Sequence, residues 1–366
     1  MQIAYDHQVF AQQRFGGISR YFVELAAQLS AAGDHDVRII APFHQNEYLA
    51  DPRIAHRVTG MRLKRTRLIS IRRALRWGNR LALPWSWRGQ HPDILHETYF
   101  SSRVYGRARA RVLTVYDMIH ELFPDRMVQA AQISANKRRA VARADHLICI
   151  SETTRRDLVR LLGVDPARTT VVHLGHALSA DDTASPLPSP GPPYILYVGD
   201  RDSYKNFPAA AEAYARSPKL RAELRLVAFG GRPFTAREHL ALQDLGIASQ
   251  VSHVGGDDAE LAAYYHHARL FVCPSTYEGF GLPPLEAMAH GCPVACSDRG
   301  SLPEVVAEAG EYFDPESAEA IGAAMERVAF DSARRRELIA LGRARAQLFT
   351  WSKCASETAA VYSRLL

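Results

Sequence analysis

Short apolar runs alternate along this chain with longer stretches whose apolar positions recur at helical spacing. Residues 1–6 predict a first strand. After Gly16-Gly17, the residues Ile18, Tyr21, Phe22, Leu25, Ala26 and Leu29 share one face of a helix that ends near Gly33. Apolar runs at 37–40, 94–96, 112–116, 146–150 and 170–174 predict further strands, with helices such as 131–144 and 152–162 between several of them. Strands separated by helices imply a largely parallel sheet, because a parallel pair needs a long crossover.

Residues 180–193 break the pattern: five prolines, with Ser, Asp and Gly, allow neither a helix nor a central strand. A second series follows, with strands predicted at 194–198, 224–229, 251–254, 270–273 and 293–296. Helices are predicted near 206–216, 235–245, 258–268, 283–290 and 316–329. The pattern therefore divides the chain into a domain over 1–179, a linker over 180–193 and a second domain over 194–350. The closing helical stretch, 351–366, could cross back onto the first domain. Two domains also suit the length, since 366 residues exceed the about 250–300 at which one core stops growing.

Composition narrows the class. The chain is 47% hydrophobic and 23% charged, as in ordinary globular proteins, and holds no apolar run long enough to span a bilayer. The opening strand lacks the basic and apolar regions of a secretory signal, so a cytoplasmic location is expected. Five scattered cysteines suit reduced, structural thiols. Cys292 and Cys296 have no second Cys/His pair at zinc-ligand spacing.

The net charge of +6 is unevenly placed. Residues 61–90 carry nine basic side chains, from Arg62 to Arg88, and no acid. Read as a helix, this stretch puts Leu68, Ile71, Leu75 and Leu81 on one side and Arg72, Arg73, Arg76 and Arg80 opposite, with Trp77, Trp85 and Trp87 nearby. It suits peripheral contact with an anionic membrane, such as the inner face of the plasma membrane; the plainer alternative is a solvated basic helix. Nucleic acid is disfavoured, since no nucleic-acid motif accompanies the charge.

In open parallel sheets ligands sit at the carboxyl ends of strands. The run 270–273 is followed by Pro-Ser-Thr-Tyr-Glu-Gly-Phe-Gly-Leu-Pro-Pro-Leu-Glu-Ala-Met-Ala. Gly279 and Gly281 allow the backbone close to a ligand, and the prolines suit a helix start whose amides favour an anion such as a diphosphate. Glu278 and Glu286 flank that turn and can accept hydrogen bonds from sugar hydroxyls. By themselves two glutamates eight apart say little, and such a loop is often only a turn. Ser151 is expected to cap the helix that follows it.

The Glu278-to-Glu286 pattern, with Gly291-Cys292-Pro293-Val294 and Ser301-Leu302-Pro303-Glu304-Val305, resembles family four of the retaining GT-B glycosyltransferases, the group 1 enzymes. The resemblance covers most of the chain and is strongest over 194–315. It implies two Rossmann-like domains facing across a cleft. It further implies a retaining hexosyltransferase using a nucleotide sugar and needing neither metal nor other cofactor. Bacterial polysaccharide and lipopolysaccharide mannosyltransferases are the nearest in kind, which makes GDP-mannose the first choice of donor and a saccharide or lipid-linked saccharide the acceptor. By the same resemblance Glu286 holds the donor ribose, Glu278 lies by the donor sugar, and Gly279, Phe280, Gly281 and Leu282 contact sugar and phosphates. Arg201 and Lys205, after the predicted strand 194–198, are the basic pair that neutralises the diphosphate, although Asp200 stands where many members have the arginine. Asp200-Arg201-Asp202 also spells a metal-binding signature of the other main glycosyltransferase fold, set aside because its chain context differs. In the first domain the resemblance assigns Asp117 and His120 to the sugar and acceptor side, and Gly16 and Gly17 to a loop near the diphosphate. Residues 96–99 have weaker claims. An epimerase or phosphorylase on the same fold, or a non-catalytic sugar-nucleotide-binding subunit, remains an alternative.

Overall fold

The computed structural model describes residues 1–63, 71–176, 191–201 and 203–366. Lys64, Arg65, Arg67 and Leu68 of the basic segment, most of the expected linker, and Asp202 lie outside them, as do the side chains of Ile71, Arg72, Arg73 and Arg76. The chain forms two compact units: one from Met1–Gly175 together with Trp351–Leu366, the other from His176–Thr350.

In the first unit the strands are β1 (Gln2–Tyr5), β2 (Asp36–His44), β3 (Val58–Arg62), β4 (Ile94–Glu97), β5 (Ala110–Val115), β6 (His146–Cys149) and β7 (Thr169–Val171). They form one sheet in the order β3-β2-β1-β4-β5-β6-β7, every pair parallel. β1, β4 and β5 are buried on both faces, as a sheet covered by crossover helices requires. The edge strand β3 is mostly exposed and carries no apolar run, which is why periodicity overlooks it.

In the second unit the strands are β8 (Tyr194–Val198), β9 (Arg225–Phe229), β10 (Val251–Val254), β11 (Leu270–Cys273), β12 (Val294–Ser297) and β13 (Gly310–Phe313). Their order is β10-β9-β8-β11-β12-β13, again all parallel. Its core joins Ile195, Tyr197, Leu226, Val272 and Ala295 of the sheet to Phe207, Tyr214, Ile321 and Met325 of flanking helices. Both sheets are doubly wound. Each therefore has a point where the strand order reverses: between β1 and β4 in the first, and between β8 and β11 in the second. Crevices form at the carboxyl side of such points because the chain leaves neighbouring strands in opposite directions.

The closing helix, Trp351–Arg364, belongs to the first unit and packs on the helix Gly17–Ala31. His96 is fully buried where they meet: one ring nitrogen is 2.6 Å from the Tyr362 hydroxyl and the other 2.8 Å from that of Thr114. Burial pushes the His96 pKa down to about 3, so the ring is neutral. His96 is thus a structural residue of the first core.

The helix Ile71–Ser86 corrects the expected facing of the basic segment. Leu75 and Leu83 are buried, and buried Asn79 exchanges two hydrogen bonds with the backbone of Phe43 at 3.0 and 2.8 Å. Leu81 is not on that side. With Trp77 and Trp85 it forms the outward stripe, 61–72% exposed, because residues four apart fall on one helix face. Arg80 lies over Trp77 and Arg88 over Trp85, at 5.6 and 5.7 Å. No helix among the described residues is long and apolar enough to cross a membrane. All five cysteines are buried and unpaired.

Candidate active site

The loops at the β8/β11 reversal gather the strongest sequence candidates. β8 ends at Val198, and Gly199 follows at φ +127°, a backbone shape that disfavours side chains. The Tyr197 hydroxyl donates to the Asp200 carbonyl at 2.5 Å and reaches that of Lys205 at 3.5 Å, tying both sides of the loop. The amide of Thr276, after β11, donates to the Tyr204 carbonyl at 2.7 Å, so the two loops are joined directly.

Lys205 and Glu278 meet across this junction, Nζ to Oε1 at 2.7 Å, and the Ser275 hydroxyl donates to the same oxygen at 2.6 Å. Their side chains are only 18% and 9% exposed. Burial works to lower the Lys205 pKa, but the charge of Glu278, with smaller contributions from Tyr204 and Cys273, outweighs it and holds the amine above the usual lysine range. The site therefore keeps a permanent cation at every physiological pH.

The Glu278 backbone is fixed from a third loop. Ser301 Oγ donates to the carbonyls of Glu278 and Phe280 at 2.9 and 2.7 Å. Gly300, at φ +64°, lies so close that a Cβ there would sit 2.8 Å from the Glu278 nitrogen and 2.9 Å from its oxygen. Neither Ser301 nor Gly300 stands out as a site residue in the sequence. The Ser301 that carries the resemblance serves here as a clamp on the glutamate loop.

Gly281, at φ +108°, opens the helix Leu282–Ala289, with Pro283 and Pro284 in its first turn. Proline has no N–H, so of the amides a helix start leaves unpaired, that of Leu282 remains within the turn. The anion site is thus narrower than the sequence suggests. Glu286 sits on the next turn, largely buried, accepting from the Tyr265 hydroxyl at 3.3 Å. Tyr265 stacks on His290 with its ring 9° from parallel, which fixes the hydroxyl that orients Glu286. Phe280 is buried against Phe349, so its side chain faces the core.

Arg201 is placed differently from its expected partner. Its side chain is 2% exposed; Nε donates to Glu238 at 2.9 Å, its terminal nitrogens bond the carbonyls of Gly230 and Arg232, and the guanidinium covers the Phe234 ring at 4.6 Å. The expected basic pair is therefore divided: Lys205 meets Glu278, whereas Arg201 braces the loop after β9.

In the first unit Asp117 and His120 lie just beyond β5. Asp117 Oδ1 accepts from the Ile119 amide at 3.1 Å, and Lys137 Nζ donates to the Asp117 carbonyl at 2.9 Å. Lys137, fully buried, also pairs with Glu121 at 2.7 Å and lies over the Phe100 ring. This lysine braces the whole Asp117–Glu121 segment; in the sequence it is hidden in a helix as one base among several. Burial, aided by Lys137 and opposed by Asp117, lowers the His120 pKa, and its Nδ1 has no hydrogen-bond partner. Gly16 and Gly17 open the helix Gly17–Ala31, where Gln13 Oε1 accepts from the Ser19 amide at 3.1 Å. Ser151 caps its helix as expected, accepting from the Thr154 amide.

Comparison with known proteins agrees with this architecture. A family model described as "Glycosyl transferases group 1" matches residues 180–345, and one described as "Glycosyltransferase Family 4" matches residues 15–179. O-antigen chain mannosyltransferase B of Escherichia coli is 29% identical over 95% of this chain and 96% of its own length. Serotype-specific mannosyltransferase WbdA of Escherichia coli is 32% identical over 63% of this chain, an alignment that spans 30% of that longer protein. Sucrose-phosphate synthase from Thermosynechococcus elongatus superposes with a TM-score of 0.76 at 25% identity, covering 100% of this chain and 98% of that one. With two doubly wound domains, and with family matches running from residue 15 to residue 345, the chain belongs to the group 1, family 4 glycosyltransferases.

Proposed function

We propose that the chain is a retaining, metal-independent hexosyltransferase that moves mannose from GDP-mannose to a saccharide or lipid-linked saccharide in cell-surface polysaccharide synthesis. The observation that carries the proposal is the Lys205–Glu278 pair at the β8/β11 reversal, beside the helix start that leads to Glu286. A fixed cation and a helix-start amide are the groups a nucleotide diphosphate needs. The likeness to O-antigen chain mannosyltransferase B over nearly the whole chain supports mannose as the sugar.

In this mechanism Lys205 turns from Glu278 toward the diphosphate and stabilises the charge that grows as the bond between the sugar C1 and the phosphate oxygen breaks. An interaction that strengthens toward the transition state accelerates the reaction. The acceptor hydroxyl attacks C1 on the face the phosphate leaves, and its proton passes to a phosphate oxygen. No protein nucleophile is required, unlike the paired carboxylates of retaining glycosidases. Glu286 holds the ribose and Glu278 the donor sugar; Gly279, Gly281 and Leu282 give the backbone contacts. Asp117, His120 and the Gly16-Gly17 loop are the substrate-binding candidates of the first unit. Arg201 ties the loop after β8 to the loop after β9 through Glu238 and the carbonyls of Gly230 and Arg232.

The outward stripe of Trp77, Leu81 and Trp85, with arginines over both indoles, is proposed to rest on an anionic membrane. Liposome flotation should show a preference for anionic lipid that Trp77→Ala with Trp85→Ala removes. For the transfer itself, a thermal-shift screen of nucleotide sugars should single out GDP-mannose. The product anomer, read by NMR, should match the donor, and activity should persist in EDTA. An inverted product, or complete loss in EDTA reversed by manganese, would overturn this mechanism.

A further inference from the structure

The amine of Lys205 and the hydroxyl of Ser275 both fall on one oxygen of Glu278, Oε1, at 2.7 and 2.6 Å. The other oxygen, Oε2, takes no hydrogen bond from a described residue. Ser275 is 1% exposed, and its Oγ has one further neighbour, the Cys273 sulfur at 3.7 Å. Its hydroxyl is thus committed to Glu278. The Glu278 backbone is clamped by Ser301 and crowded by Gly300, so the carboxylate stays where it is when the lysine moves. Lys205 is the movable half: it ends the short 3-10 turn Ser203–Lys205, and its amine sits on a flexible stem.

One cation therefore has two partners to choose between. A nucleoside diphosphate draws Lys205 to its phosphates and away from Glu278. The carboxylate, only 9% exposed, is then left with a neutral hydroxyl on Oε1. A buried charge that has lost its counter-ion is strongly unfavourable. What the ligand carries beyond its phosphates decides the balance. A sugar on the diphosphate brings hydroxyl groups that can donate to Oε2, and donors to a carboxylate stabilise it as an anion. A bare nucleoside diphosphate brings none.

We infer that Glu278 is a specificity-determining residue that makes the site prefer a nucleotide carrying its sugar to the same nucleotide without it, with Ser275 as its positioning residue. The inference rests on the donor site proposed above, in which Lys205 meets the diphosphate and Glu278 the sugar. It gives turnover a direction. Once the sugar has passed to the acceptor, Oε2 loses its donors, Lys205 returns to Glu278, and a contact within the protein displaces the nucleoside diphosphate. A carboxylate that only helped to hold the nucleotide would behave in the opposite way, since its removal would weaken binding.

Isothermal titration calorimetry on the full chain, without acceptor, tests the inference. The ligands are GDP and UDP, each alone, and their non-transferable counterparts GDP-2-deoxy-2-fluoromannose and UDP-2-deoxy-2-fluoroglucose. For the base that binds, the wild-type chain should hold the sugar-bearing form about tenfold more tightly. Glu278→Gln keeps the shape and the acceptor oxygen but removes the charge. It should lower the Kd of the bare nucleotide about tenfold and reduce the preference for the sugar-bearing form to about twofold or less. Ser275→Ala should act in the opposite direction, raising the bare-nucleotide Kd about threefold, because the abandoned carboxylate then has no donor on Oε1. It supplies an independent reading where the glutamine variant fails to fold. In the Glu278→Gln background the serine change should have a much smaller effect, since the hydroxyl acts through the carboxylate. A bare-nucleotide Kd that is unchanged or higher in Glu278→Gln overturns the inference, as does a wild-type chain that holds both forms equally, or a Kd lowered by Ser275→Ala. Binding of neither GDP nor UDP to the wild-type chain would instead defeat the donor site itself, and the inference with it.

Discussion

The two sheets solve the same topological problem with opposite chemistry. At the β8/β11 reversal the loops are held by a buried ion pair, Lys205–Glu278, and by a glycine that no other residue can replace without moving the glutamate. At the β1/β4 reversal a buried carboxylate, Asp6, is met by hydroxyl, carboxamide and amide donors, and the space beyond it is lined with amides and aromatic rings. A crevice with fixed charge selects an ionic ligand. A crevice lined mainly by amides and aromatic rings, with its two arginines exposed to solvent, carries no buried ion pair among its described lining residues.

The sharpest way to break this contrast is to remove the charge. Lys205→Ala should lower kcat/KM by about 10²–10³-fold, the usual loss when one charge-stabilising donor is deleted. Lys205→Arg should recover part of the rate. If the alanine variant retained most of its activity, the charged character of the second crevice would have no catalytic meaning.

Gly300→Ala probes the rigidity of the same loop. Forcing a side chain into a left-handed conformation against the Glu278 backbone should cost about 2–4 kcal/mol, visible as a lower urea midpoint, with a parallel fall in transfer. A variant as stable as wild type would mean that the loop has freedom the packing denies it.

Acid distinguishes the units next. His7 and His96, both in the first unit, are held neutral by burial with pKa values of about 4 and 3. The unfolded chain protonates them below its ordinary histidine pKa, about 6.5, whereas the folded chain does not. Stability is therefore intact above that value and declines as pH falls toward 4, by about 1.4 kcal/mol per pH unit for each histidine. His96→Asn should flatten this slope by one histidine's share in urea melts recorded from pH 7 to pH 4.5.

The smallest expected effect is that of salt. Raising sodium chloride from about 50 to 500 mM screens charge and should raise the donor KM a few-fold, with the acceptor KM unmoved.

Much of this was legible in the chain. Strands buried on both faces, such as 194–198 and 270–273, announce themselves as apolar runs, and the helix Glu152–Leu162 is bounded by the cap Ser151 and by Gly163. What escaped were elements whose faces are mixed. The edge strand β13 reads Gly-Glu-Tyr-Phe, and the helix Ser332–Ala346 scatters its few apolar residues among arginines. At the site, Lys205, Glu278 and Glu286 were legible through the family resemblance, since two glutamates eight apart say little by themselves. Lys137, Ser301 and Gly300 were not, since each acts through a contact with residues distant in the chain: Asp117, Glu278 and Phe280. Leu81 does not share the side of Leu75, as the apolar spacing suggests, because six residues carry it well round the helix to the stripe of Trp77 and Trp85.

The hydrogen bond between His96 and Tyr362 joins residues 266 positions apart and closes the first unit with a helix translated after all of the second. On the ribosome, then, the first sheet must wait with a core face open while its neighbour is synthesised and folds. Assembly runs out of sequence order: the unit begun first is finished last.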